Sequence, residues 1–203
     1  MRAVPLNRYI VFFAIVILAC LADLAAKSWI FAKLKSPPGP TLWLWDGVVG
    51  LQTSLNEGAL FGMGQGKVWV FAAISLAAFA GVIIWLFIVG AARDFFLTVA
   101  LGCVTSGILG NLYDRLGMHG LVWQTASPHH AIGDPVYAVR DWILVMIGPW
   151  AWPNFNIADS MLVCGVMLLL WHAYRYDSGQ KRDSKPSEGD SENADNHPTN
   201  KNA

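Results

Sequence analysis

Along the chain, apolar residues gather into four long runs, about Tyr9 to Ile30, Val68 to Gly90, Phe95 to Leu112 and Ile157 to Tyr176. Crossing a bilayer takes roughly 20 consecutive apolar residues in a helix, so the pattern predicts four transmembrane helices. Between the first two runs, Thr41 to Thr53 mixes Trp, Leu, Val and Gly in partly alternating stretches, as a half-buried strand would. A small sheet resting on the membrane surface follows from it. From Asp177 onward the residues are Ser, Asn, Asp and Lys with almost nothing apolar to bury, which predicts a disordered tail over 177–203. The expected fold is therefore an all-α membrane protein: one membrane-embedded domain over 1–176, four helices and a small extracytoplasmic β-element.

Composition strengthens this picture. Apolar residues make up 55% of the chain, charged ones 14%, and ten are tryptophan, more than a soluble domain carries. Fourteen basic residues balance fourteen acidic ones, so no global positive field is available to attract nucleic acid. Cys20, Cys103 and Cys164 lie inside apolar runs and match neither a disulfide framework nor a zinc site, which makes them packing residues. Trp43, Trp45, Trp142, Trp150 and Trp152 suit a headgroup belt, where an indole buries its ring and keeps its N–H wet.

An even number of spans returns both termini to one side. Counting Arg2, Arg8, Arg93, Arg175, Lys181 and Arg182 against Lys33, Lys35, Lys67, Arg115 and Arg140 favours cytoplasmic termini by a thin margin. Arg2 and Arg8 ahead of an apolar run ending at Cys20 also suit a cleaved secretory signal. The run, however, continues to Ile30 with Asp23 and Lys27 inside it, and three more spans follow.

Placed on this topology, the intramembrane polar residues cluster at one end. Asp23 and Lys27 lie where the first span leaves the membrane, Asn56 and Glu57 precede the second, Asn111, Asp114 and Arg115 close the third, and Asn156 and Asp159 open the fourth. Polar groups at such depth are costly unless paired or lining a wet cavity, so their convergence marks a functional site; helix caps and structural ion pairs are the competing account. Asp23 and Lys27, four residues apart, share a helix face and suit an ion pair. Asp159, three residues after Asn156, suits the first turn of a helix. Two carboxylates held together in a site of low dielectric cannot both ionise readily, so one keeps a proton while the other activates water.

The order Asp23-x3-Lys27, Asn56-Glu57-Gly58-Ala59-Leu60-Phe61-Gly62, Gly107-x2-Gly110-Asn111-Leu112-Tyr113-Asp114-Arg115, Asp141 and Phe155-Asn156-Ile157-Ala158-Asp159 resembles lipoprotein signal peptidase, the signal peptidase II family of membrane aspartyl proteases, from about Arg8 to Tyr176. The resemblance implies an enzyme of the bacterial inner membrane that cleaves lipid-modified prolipoproteins just before the lipid-bearing cysteine. It implies Asp141 and Asp159 as the catalytic pair, and Asp23, Lys27, Asn56, Asn111, Arg115 and Asn156 as supporting residues, with Asp114 counted beside them as a substrate-binding or supporting candidate. No cofactor or metal is implied. Membrane lipid and prolipoprotein are the expected partners, and a monomer the expected state.

Two features depart from the family pattern: the stretch from Leu116 to Val139 is long, and Arg140 replaces an apolar residue before Asp141. Asp114 and Asp134 are the rival acids. Arg115 beside Asp114 favours permanent ionisation there, so Asp141 is preferred. His129, His130 and Asp134 suggest a metal site only weakly, and Gly62-Met63-Gly64-Gln65-Gly66-Lys67 lacks the preceding strand and the Ser or Thr of a phosphate loop. Gly102, Ser106 and Gly110 recur every fourth residue and suit close helix packing. A small transporter or assembly factor is the alternative reading, weakened because no charge lies in the middle of any span.

Overall fold

The computed structural model describes residues 3–35, 37, 39–58, 63–128 and 130–183. Its elements run α1 (Leu6–Leu34), β1 (Leu42–Trp45), β2 (Val49–Asn56), α2 (Val68–Ile83), α3 (Phe95–Arg115), β3 (Val139–Ile147), β4 (Trp150–Phe155) and α4 (Ile157–Asp183). One compact unit extends to Leu169, and a second begins at Leu170, described here as the remainder of α4. Among the described residues four helices are long and apolar enough to cross a membrane, with α2 prolonged by a π-helical turn over Ile84–Ile88. That turn is closed by Val89 N–H donating to Ile84 O at 2.9 Å. The α4 helix runs past the expected boundary at Tyr176 as far as Asp183, so the first part of the tail expected to be disordered, over 177–183, is helical instead; the rest of it, 184–203, lies outside the described residues.

The central helix is α3, and its small residues explain why. A Cβ at Gly102 would meet Ile15 of α1, one at Gly107 would strike Ala158 and Leu162 of α4, and one at Gly110 would crowd Asp23 and Ala158. Two helices thus approach α3 from two sides, the close packing expected of a small-residue stripe. At the other end of the bundle Phe12, Val16, Leu86, Ala92 and Leu101 form an apolar cluster, with Phe87 stacked on Tyr9 at 4.3 Å. The α2–α3 link turns on Gly90 at φ 90°, after which Asp94 caps α3 by accepting from Leu97 N at 3.0 Å.

The sheet is larger than expected: four antiparallel strands in the order β1-β2-β3-β4. Its second half, β3 and β4, lies in sequence for which no strand was expected. Asp46-Gly47 turns the first hairpin, with Gly47 at φ 68°, and Gly148-Pro149 turns the second, with Gly148 at φ 61°. Trp43, Trp45, Trp150 and Trp152 are exposed on the outer strands. Trp142 is not. It packs against Ile30, Leu34 and Leu51 with its indole nitrogen buried, a correction to the headgroup role expected for it.

Candidate active site

The site lies where the C-terminal ends of α1 and α3 meet the N-terminal end of α4 and the β2–β3 pair. On β3, successive side chains leave opposite faces of the sheet, so Arg140 and Asp141 are sent to different partners. Ser54 and Leu55 of β2 stand opposite Asp141 and Arg140 in the register. Asp141 is 2% exposed and accepts from Asn56 Nδ2 at 3.2 Å and from Asn156 Nδ2 at 2.6 Å.

Asp159 is placed by a reciprocal cap. Its backbone N–H donates to Asn156 Oδ1 at 2.9 Å, while its Oδ2 accepts from Asn156 N–H at 3.1 Å. Asn156 therefore starts the helix, fixes Asp159 in the first turn and also reaches Asp141. Asn111 completes the bridge. Its Oδ1 accepts from Lys27 Nζ at 3.0 Å and from Asn156 Nδ2 at 3.1 Å, and its Nδ2 donates to Asp159 Oδ1 at 2.7 Å. Lysine only donates, so Lys27 dictates which way the Asn111 amide faces, and that leaves its NH2 for Asp159.

Behind the carboxylates runs a buried chain of charges. Lys27 Nζ lies 2.7 Å from Asp23 Oδ2 and 3.2 Å from Asp114 Oδ2, and Arg140 clasps Asp114 through Nε at 3.0 Å and Nη2 at 2.8 Å. The backbone N–H of Arg140 adds a third bond to Asp114 Oδ2 at 2.9 Å. Two anions alternate with two cations, which keeps the group neutral and hydrogen-bonded, as burial requires. Asp23 also accepts from Ala158 N–H at 2.9 Å, tying α1 to the start of α4.

This arrangement corrects one expectation. Asp114 is paired not with Arg115 but with Arg140 and Lys27, and Asn111 bonds neither Asp114 nor Arg115. The Arg115 guanidinium turns away, donating to Gly58 O at 3.3 Å and lying over the Phe71 ring. Asp134 accepts from Ala131 N–H at 2.7 Å in its own loop. A cleft of about 1250 Å³ is lined by Asp141 and Asp159 together with Asn56, Glu57, Asn111 and Arg115; Asp114 and Asp134 do not line it. Apolar walls come from Ile108 of α3 and Leu162 and Val163 of α4.

Burial pushes the Asp141 carboxyl up to about 8, reinforced by the nearby Asp159 charge and opposed by Asn56, Lys27 and Asn156. A carboxylic acid that keeps its proton near neutrality, next to a second carboxylate, is the pairing that acid–base hydrolysis needs. Among the described residues no group of three His, Cys, Asp or Glu side chains is placed to hold a metal ion; His129 lies outside them. Reading the sequence missed Arg140 as a partner of Asp114, and missed Trp123 and His130 as cleft residues. The long segment after Leu116 was the signal available for the latter two.

Fold and site together define a membrane-embedded hydrolase of the aspartic class. The solved structures similar to the chain include two described as bacterial membrane enzymes. One has TM-score 0.67 and 25% identity, covering 87% of this chain and 94% of that one; the other has TM-score 0.63 and 25% identity, covering 80% and 91%. Residues 15–175 match the model of the family described as Signal peptidase (SPase) II. The lipoprotein signal peptidase of Rhodopirellula baltica is 46% identical over 175 residues, covering 85% of this chain and 75% of the relative. That of Rhodococcus jostii is 33% identical, covering 81% and 72%. The chain belongs to the signal peptidase II family, and the transporter reading is set aside.

Proposed function

We propose that Asp141 and Asp159 are the catalytic pair with which this membrane protease removes the signal peptide from prolipoproteins, cutting just before the lipid-modified cysteine. The observation that carries this reading is Asn156, whose side-chain amide donates to the Asp141 carboxylate and whose backbone N–H donates to the Asp159 carboxylate, in a shared cleft. Asp141, holding the proton, donates to the scissile carbonyl oxygen; Asp159, ionised, takes a proton from the attacking water. The tetrahedral intermediate then collapses as a proton passes to the leaving amine. Asn56, Asn111, Asn156, Asp23 and Lys27 hold the pair in place, and Arg115 fixes the Gly58 carbonyl at the rim. The substrate's acyl chains lie in the bilayer against the spans, and their binding positions the peptide bond. Both termini are assigned to the cytoplasm and the cleft to the opposite face, where a translocated precursor presents its cleavage site.

The test uses purified protein, a lipid-modified precursor peptide and single turnover in heavy-oxygen water. Solvent oxygen is expected in the carboxylate of the released signal peptide, with no covalent adduct on the enzyme. Asp159→Asn is expected to lower kcat by about 10³-fold in a folded protein. Full cleavage by that variant, or a trapped acyl-enzyme, would overturn the assignment.

A further inference from the structure

The segment over 117–138 folds back on itself as an irregular hairpin. Trp123 N–H donates to Asp134 O and Gly133 N–H to Trp123 O, each at 2.9 Å, and Val136 N–H donates to Leu121 O at 2.9 Å. At its tip Ser127 pairs with His130. This folding delivers Trp123, Pro128 and His130 to the cleft that holds Asp141 and Asp159. The Trp123 and His130 rings are stacked, 3.6 Å apart and 4° from parallel. His130 is 10% exposed, its Nε2 lies 4.0 Å from Glu57 Oε1, and its Nδ1 is buried without a hydrogen-bond partner.

We propose that this hairpin is a substrate-binding wall for the stretch of the precursor that directly follows the lipid-modified cysteine. The inference rests on the protease reading given above. Its occupant follows from topology: the precursor's apolar segment and acyl chains are in the bilayer, so the part that meets an extramembrane hairpin beside the dyad is the start of the mature chain. The stacked indole and imidazole offer a flat face on which a peptide backbone and small side chains pack. Glu57 adds a carboxylate that disfavours acidic residues at the same place. The hairpin therefore gives this enzyme contacts beyond the lipid and the signal segment, and with them a preference for neutral or basic residues after the cysteine.

Three synthetic lipopeptides test this, sharing one signal segment and one diacylglyceryl-cysteine. The first ends a residue after the cysteine, the second continues with six neutral residues, and the third carries two acidic residues in that extension. The wild type is expected to cleave the neutral long peptide with a kcat/KM about tenfold above the short one, expressed through KM. Trp123→Ala should bring that ratio close to one, and Trp123→Phe should keep most of it, which separates loss of the ring face from loss of the fold. Glu57→Gln should raise kcat/KM for the acidic peptide towards that for the neutral one. A long-to-short ratio near one in the wild type, or an undiminished ratio in Trp123→Ala, would overturn the proposal while leaving the protease reading intact. Cleavage of none of the three by the wild type would sink that reading and the inference with it.

Discussion

At the scale of single residues, Asp141 and Arg140 show how one strand serves two ends. Asp141 keeps its proton up to about pH 8 in the folded protein, whereas an unfolded chain releases it near 3.8. Between those values the native state binds more protons than the unfolded one, so the contribution of Asp141 to stability falls as pH rises through that window. Thermal melts in detergent at several pH values should show this decline, and Asp141→Asn should flatten it; an equal decline in both proteins would contradict the assigned environment. Activity should fall on the alkaline side as Asp141 loses the proton it donates. Arg140 acts from the opposite face. Arg140→Met leaves Asp114 with Lys27 and the backbone N–H of residue 140, and breaking a buried pair of this kind costs about 3–5 kcal/mol. Combining it with Asp114→Asn should recover part of the loss, read as non-additive shifts in unfolding midpoint.

At the scale of elements, the four spans could be read from the sequence because hydropathy over 20 residues needs no tertiary information. Their ends overran the expectation, as at Leu34 and Arg115, where lysine and arginine stems extend a helix beyond its apolar run. The Asp23–Lys27 pair and the Asn156–Asp159 cap were also readable, being set by spacings of four and three along a helix. Strands β3 and β4 were not, since Trp142–Ile147 is continuous apolar sequence without alternation. The Arg140–Asp114 clasp was hidden for a related reason: it joins residues 26 apart through that unrecognised strand, while Arg115 was the obvious neighbour. Helix packing makes its own prediction. Gly107→Val places a methyl-bearing carbon against Ala158 and Leu162, which should destabilise by about 1–3 kcal/mol and displace Asp159 enough to lower kcat. Gly81→Ala faces open space on α2 and is the control expected to leave both unchanged.

At the scale of the whole molecule, polar chemistry collects at one end of the bundle because three helices present matching ends there. The C-terminal ends of α1 and α3 bring Asp23, Lys27, Asn111, Asp114 and Arg115, and the N-terminal end of α4 brings Asn156 and Asp159. An antiparallel arrangement of successive spans requires this, so whichever side of the membrane holds the hairpin over 117–138 also holds the dyad. The link over Ala91–Arg93 then lies on the other side. Counting flanking cations favours a cytoplasmic link by a narrow margin, and the proposed cleavage of a translocated precursor would require the same orientation. The assignment is testable in intact cells with a membrane-impermeant thiol reagent, in a background where Cys20, Cys103 and Cys164 are replaced. A cysteine at Ile132, which is 69% exposed at the tip of the hairpin, should be labelled from outside. One at Arg93 should react only after the membrane is permeabilised. Labelling of Arg93→Cys and not Ile132→Cys in intact cells would place the dyad in the cytoplasm, where no translocated cleavage site could reach it.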